Sequence, residues 1–549
     1  MKNKLLKSIL KTIFILIVFY IITYYINSNI TIKGLYKDDL ASWSWFPGLS
    51  FYDFAIKFYD TATRYRPVFY ALEYIEYFIV GNHVKWFTYI NVFLNSIIAT
   101  FVYKFAKKNS KSTIVASIIS LCYIISHFSY YQITQVIGIL ETYSQLFALI
   151  ILYLCISYIQ NKTHNNLKLS LLYILYFLVS FTHERYMFLA VPIIITLIFK
   201  YFLQNNQHHY NNNYKNNQLK NTIIHFAIFI LEIALIVYIR ILSTGKFIPS
   251  GTGGTEVNET FNIVEAFTFA INQVLFIFGI NIGPEHLVGM PFETMPIYLK
   301  IIAFVSILIL LSIILIYILV KANYINNNNT QNLLYLIYQD ILYIVFIMLA
   351  IGSSSVTIRV EMRFVYVSFT ASMLYLSYMI GEITKYTNTN RNNNISDKNN
   401  TNWSSINNIR SITNNKLMLI VYVLLISFFV SRNYIEFNYR TSYPKIHCVT
   451  DLLRVNSLAD LTIYKYGLEE LKKKKVYILY NYYEWTDFYR EYFFKVYDKT
   501  YEGLTIEIIE KTEDMPKDLD KNRDIILFED IANFGYVDVT EQLLEANNK

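Results

Sequence analysis

The sequence predicts an all-α polytopic membrane protein of about eleven transmembrane helices, followed by a small extracytoplasmic α/β domain. Three observations lead there. Only 16% of the 549 residues are charged, whereas an ordinary soluble domain carries about a quarter. Runs such as IFILIVFYIITYYINSN from Ile13 and IIAFVSILILLSIILIYILV from Ile301 hold no charge at all. From Arg432 onward the charge rises and short strand-like runs begin. About 20 apolar residues span a hydrocarbon core as a helix, and a helix satisfies its own backbone there. A soluble helix of that length would carry a polar stripe, and these runs carry none.

Hydropathy places spans near 9–27, 86–105, 112–127, 137–159, 168–182, 186–203, 222–242, 299–320, 333–352, 364–384 and 416–431. The first reads as a signal anchor, because Asn27, Ser28 and Asn29 offer no small-residue cleavage site. Val68–Val80 is apolar but short and carries Glu73 and Glu76, so it reads as a helix lying in the membrane interface. Loops alternate in charge. One set holds Lys2, Lys104, Lys107, Lys108, Lys111, Lys168, Lys200, Lys321 and Lys385; the other holds Asp38, Asp39, Asp53, Glu184, Glu293 and Glu361. The positive-inside rule makes the first set cytoplasmic. The N-terminus is then cytoplasmic and the C-terminal domain extracytoplasmic, in the cell membrane.

Domain organisation follows: a transmembrane unit over 1–431 with outer loops 28–85 and 243–297, and an outer α/β domain over 432–549. Asn-rich tracts at 204–221 and 385–415 cannot bury a core and read as cytoplasmic linkers. The strand candidates are VYILYNY from Val476, LTIEIIE from Leu504 and DIILFED from Asp524, with helices between them. The net charge of +8 lies mostly in short loops between spans, which argues against a nucleic-acid partner. Three cysteines, two of them inside spans, support neither a disulfide framework nor a cysteine zinc site.

The outer loops carry the candidate chemistry. Asp38 and Asp39 follow the first span closely. Adjacent carboxylates bind a divalent cation or supply a general base; the competing reading is a solvated loop. Arg64 and Arg66 precede Pro67 and suit a phosphate, or else snorkel to headgroups. His183, Glu184 and Arg185 form a short outer turn between two spans, where ionisable groups are functional candidates by default; the competing reading is a solvated hairpin touching lipid headgroups. Arg359 and Arg363, one helical turn apart, would point two cations at one anion. The loop Ser243–Met295 reads as a lid; its glycines lack the Gly-Lys-Ser/Thr of a phosphate loop. Glu232 and Arg240 read as a buried pair or a cavity lining, and Glu141 and Gln145 as facing the outer cavity.

Together these pieces resemble the GT-C superfamily of polytopic glycosyltransferases. The resemblance rests on Tyr36–Lys37–Asp38–Asp39 after the first span, on Arg66–Pro67 with the helices that follow, on Asn91 and Asn95, and on the turn SFTHERYMFLAVP. It covers roughly residues 1–380. It departs from many relatives in having Asp-Asp for Asp-Glu, and the C-terminal region has no Trp-Trp-Asp motif. The resemblance implies an inverting transferase that moves a sugar from a polyprenyl-phosphate donor to a lipid, polysaccharide or protein acceptor at the outer face. It implies Asp39, then Asp38, as base. Arg64, Arg66, His183, Glu184, Arg185, Arg359 and Arg363 would hold substrate, and Asp38, Asp39 and Glu184 would hold a divalent cation if one is used. The alternative is a transporter, flippase or assembly factor for lipid-linked envelope saccharides. A transporter places its charges near mid-membrane; here they gather at the outer ends of the spans.

Overall fold

The structure is a computed structural model. It describes residues 2–57, 64–161, 165–207, 212–246, 262–282, 291–327, 333–357, 360–396, 404–442, 447–480, 485–498, 506–511, 514–516 and 518–547. The chain is mostly helical. Helix α1 is Lys2–Ile26, α2 Lys37–Trp45, α3 Pro67–Val80, α4 Trp86–Ser110, α5 Thr113–Ile125, α6 Tyr130–Thr134, α7 Ile139–Gln160 and α8 Asn166–Thr182. A 3₁₀ segment, Glu184–Leu189, leads into α9, Ala190–Gln207. Then come α10 Asn212–Thr244, α11 Ile263–Ile277, α12 Ile297–Asn327, α13 Leu333–Ser355, α14 Met362–Ser396 and α15 Ser404–Ser442.

Among the described residues nine helices are long and apolar enough to cross a membrane, ten if the pair Thr113–Ile125 and His127–Thr134, bent by 52°, counts as one span. The helix Asn166–Thr182 is apolar but shorter. All eleven hydropathy segments therefore fall on helices, of which nine have full spanning length. Burial divides them into two groups. Helices α4, α7 and α14 are mostly buried, while α1, α10 and α12 leave most apolar residues exposed, including Phe14, Leu231 and Phe304. Exposure of that much apolar surface is stable only against lipid. The central helices can approach closely: a Cβ on Gly381 of α14 would meet the Asn109 carbonyl oxygen of α4 at 2.2 Å.

Short helices cover one end of this bundle. Helix α3 starts with Pro67, whose missing N–H costs nothing in a first turn, and stops at Gly81, with φ +55. Its polarity is reversed relative to a water-facing helix. Glu73 and Glu76 are buried, whereas Ile75, Phe78 and Ile79 are exposed. Apolar residues outward and acids inward suit the interfacial position expected of it.

Helix α15 continues past position 431 to Ser442, so the change in composition at Arg432 falls inside a helix. Arg432 and Glu436 pair within α15, and His127 Nδ1 lies 2.6 Å from Glu436. The α/β unit begins with α16, His447–Leu461. Its sheet has strands β1 Lys475–Leu479, β2 Ile506–Ile509, β3 Asp524–Asp530 and β4 Gly535–Asp538, in the order β2-β1-β3-β4. The first three are parallel, with Val476 opposite Ile506 and Ile525, and β4 runs antiparallel to β3. The sequence reading found β1 to β3 and missed the short β4.

Candidate functional site

The α/β unit holds the stretch leading into α2. Asn456 accepts a hydrogen bond from the Lys33 N–H at 2.7 Å and donates to the Thr31 carbonyl at 2.5 Å. Tyr497 donates to the Lys33 carbonyl, and Lys33 pairs with Asp460 at 2.5 Å. Gly34 lies so close that a Cβ would meet Phe493 at 3.0 Å. Lys37 has φ +45, a left-handed conformation unusual for lysine, and its ammonium pairs with Asp451 at 2.5 Å.

That held backbone turns Asp38 and Asp39 in opposite senses. Asp39 is buried, and its carboxylate accepts the Val136 N–H at 3.0 Å and the Ile137 N–H at 2.9 Å. It thus ties α2 to the turn that opens α7. Burial pushes its pKa up to about 7, although the two backbone hydrogen bonds lower it. Asp38 is exposed, and its charge reaches Tyr131 and Arg363.

Behind Asp39 lie two further acids. Glu73 accepts from Tyr77 Oη at 3.1 Å, and burial pushes its carboxyl up to about 8. Glu76 is pushed well above the ordinary carboxylate range, by burial first and then by Glu73 and Asp39.

Beside α2 and α3 stands a set of buried ion pairs. Arg66, the residue before Pro67, grips Glu184 with two nitrogens; the Nε–Oε2 distance is 2.7 Å. Arg185 donates to Glu141 Oε2 at 2.7 Å, to which Tyr186 also donates at 3.1 Å. His183 sits between them, its Nε2 3.4 Å from Glu141 and its Nδ1 3.8 Å from Glu184. Burial and then the Arg66 charge push the His183 pKa down to about 4, so it is neutral at pH 7. Arg363 pairs with Glu361 at 2.5 Å and lies over the Tyr131 ring, 4.4 Å from its centroid. Arg64 is half-buried within reach of Arg66, Glu184 and Arg363, and burial and Arg66 pull its pKa below the ordinary guanidinium value.

The structure therefore brings together Asp38, Asp39, Arg64, Arg66, His183, Glu184, Arg185 and Arg363 from four separate stretches of chain. Several expected roles change. The turn at His183–Arg185 is the interior of the cluster, not a solvated hairpin: His183 is fully buried and Glu184 9% exposed. Arg66 has a carboxylate of this chain, Glu184, as its bidentate partner. Helix α14 opens at Met362, and Arg363 pairs with Glu361 just before it. Arg359 itself lies outside the described residues, as do positions 247–261 and 283–290 of the expected lid, whose described part holds helix α11.

A divalent cation does not fit the set Asp38, Asp39 and Glu184. Among the described residues no three His, Cys, Asp or Glu side chains gather as metal ligands, and Glu184 is occupied by Arg66. Glu232 and Arg240 do not pair across their two helical turns; Arg240 donates to the Ser180 carbonyl and stacks on Phe181. Asn91 and Asn95 are structural. Asn95 donates to Gln132, which donates to Gln145, which donates to Thr370, and this amide chain joins α4, α6, α7 and α14. Tyr131 and Tyr186 belong to the cluster and carried no signal in the sequence, since the chain has 50 tyrosines. Neither the models of known protein families nor the curated proteins match this chain.

Proposed function

We propose that the protein is a membrane glycosyltransferase of the GT-C type, moving a sugar from a polyprenyl-phosphate donor to an acceptor hydroxyl at the outer face of the cell membrane. The observation that carries this reading is an exposed carboxylate, Asp38, whose charge reaches Arg363, near a group of arginines at one end of an apolar helical bundle. Lipid-borne substrates approach such a site sideways, and its arginines suit a donor phosphate.

In this reaction the acceptor oxygen attacks the anomeric carbon from the face opposite the phosphate. The C–O bond to the carrier phosphate breaks, the acceptor proton passes to Asp38, and the configuration inverts. Arg64 meets the charge that develops on the departing phosphate. Asp38 displaces Asp39 as the preferred base, because a base must reach the acceptor. Asp39 then acts as a positioning residue through α7. Arg66, Arg185 and His183 have partners within the chain and hold the shape of the site.

Membranes containing wild type, Asp38→Asn or Arg64→Ala test the reading with a panel of radiolabelled polyprenyl-phosphate sugars. Loss of the general base is expected to lower transfer by roughly 10²–10⁴-fold at equal protein level. Wild-type rates in Asp38→Asn, or no transfer by the wild type from any donor, would overturn it.

A further inference from the structure

At the opposite end of the bundle from Asp38 lies a cavity of about 620 Å³, lined by the ends of α4 and α7, the start of α13 and residues 378–385 of α14. Helix α7 runs from one place to the other: its 22 residues extend roughly 33 Å. The cavity falls in the size range of small-ligand sites, roughly 300–1,000 Å³. Its lining is mostly polar, and its charges are Lys108, Lys111, Lys385 and Glu382. Lys385 pairs with Glu382 at 3.1 Å, which leaves two positive charges in excess.

Among the described residues, neither Lys108 nor Lys111 forms an ion pair. The Lys108 ammonium lies over the Tyr153 ring at 4.3 Å. Lys111 is held at the cavity edge by a left-handed helix end, its N–H bonded to the Lys107 carbonyl at 2.9 Å. The frame is rigid. Asn109 donates to Tyr343 Oη at 2.8 Å and to Ser377 at 3.2 Å, and Gly381 lets α14 touch the α4 backbone.

We infer that this cavity binds a phosphate-bearing anion, with Lys108 and Lys111 as its ligands, and that the head group of an anionic phospholipid in the adjoining leaflet is one source of it. Two unpaired ammonium groups over a polar hollow supply both charge and hydrogen bonds to phosphate oxygens. The hollow is large enough to admit the head group rather than only attract it.

The test is native mass spectrometry of the full chain in detergent, with phosphatidylglycerol or phosphatidylcholine added. Wild type is expected to retain phosphatidylglycerol in preference, and Lys108→Gln with Lys111→Gln to weaken that retention roughly tenfold. Lys104→Gln with Lys107→Gln removes the same charge from α4 outside the lining and is expected to leave retention unchanged. Thr384→Trp fills the cavity without changing charge and is expected to act like the Lys108/Lys111 pair, which keeps the test valid if that pair folds poorly. Displacement of the lipid by inorganic phosphate would support a site for the phosphate group from either source; resistance to it would support the lipid alone. Equal loss in both lysine pairs, or undiminished retention after Lys108 and Lys111 are replaced, would overturn the inference.

Discussion

Neighbouring residues in this chain meet very different surroundings. Asp38 faces outward while Asp39 is buried against two backbone N–H groups, and one residue of helical rotation separates a group that can meet a substrate from one that cannot. Arg66 and Glu184 are both buried, and each compensates the charge of the other. Removing one partner of such a pair leaves an uncompensated buried charge, at a cost of about 3–5 kcal/mol. Arg66→Ala is therefore expected to lower the thermal midpoint of the purified protein sharply. Arg66→Ala with Glu184→Ala should recover a large part of the loss, and a double variant no more stable than the single would show that the pair is not coupled. The sequence marked these positions as ionisable and outer. It did not reveal the partners, because Glu184 and Arg66 are 118 positions apart and only the fold joins them.

At the scale of elements, α3 is the informative helix. It buries Glu73 and Glu76 toward Asp39 and presents apolar side chains outward. Glu73 faces Tyr77 of its own helix, Ser42, Asp38 and Asp39 of α2, and Glu76, with no cation among the groups that shift it. Its carboxyl moves from 4.5 to about 8 on folding. Between those values the folded protein holds a proton that the unfolded chain has released, so stability is full below about pH 4.5 and falls as pH rises toward 8. Asp39, raised from 3.8 to about 7, acts in the same direction. The unfolding free energy is expected to fall between pH 5 and pH 8, by up to about 1.4 kcal/mol per pH unit per group, and the thermal midpoint to fall with it. Glu73→Gln should flatten that slope; an unchanged slope would mean that the carboxyl is not held as the acid.

The α/β unit acts on α2 in a similarly local way. Asn456 holds the backbone at Thr31 and Lys33 from across the domain boundary. Asn456→Ala is expected to speed amide exchange at Lys33 by roughly tenfold, the loss of about one to two hydrogen bonds, while the sheet keeps its protection. An unchanged Lys33 amide would show that the contact does not order the segment. The sequence identified this unit as α/β from three runs of β-branched and aromatic residues. Its placement against residues 31–37 was not legible, because the contacts join positions more than 400 apart in the chain.

For the whole molecule, helices with exposed apolar side chains surround a buried set, the arginine cluster lies at one end and a lysine-lined cavity at the other. The loop charges expect the lysine end to be cytoplasmic. A membrane-impermeant maleimide should then label Asp460→Cys on intact cells, and Lys104→Cys only after permeabilisation, both in a Cys448→Ser background. The reverse pattern would invert the orientation and place the exposed Asp38 inside.

What the sequence determined by itself is the class of molecule. Uncharged runs of spanning length suit lipid, and the alternation of loop charge and the polar residues left over set an expectation for which loops lie outside. These are local properties, readable from windows of about twenty residues. Which polar residues act together was decided only by the tertiary structure. Pairing Arg66 with Glu184 and turning Asp39 onto the Val136–Ile137 backbone both depend on contacts between distant segments. A charge in a low-dielectric interior must find a partner, and the sequence states that need without naming the partner.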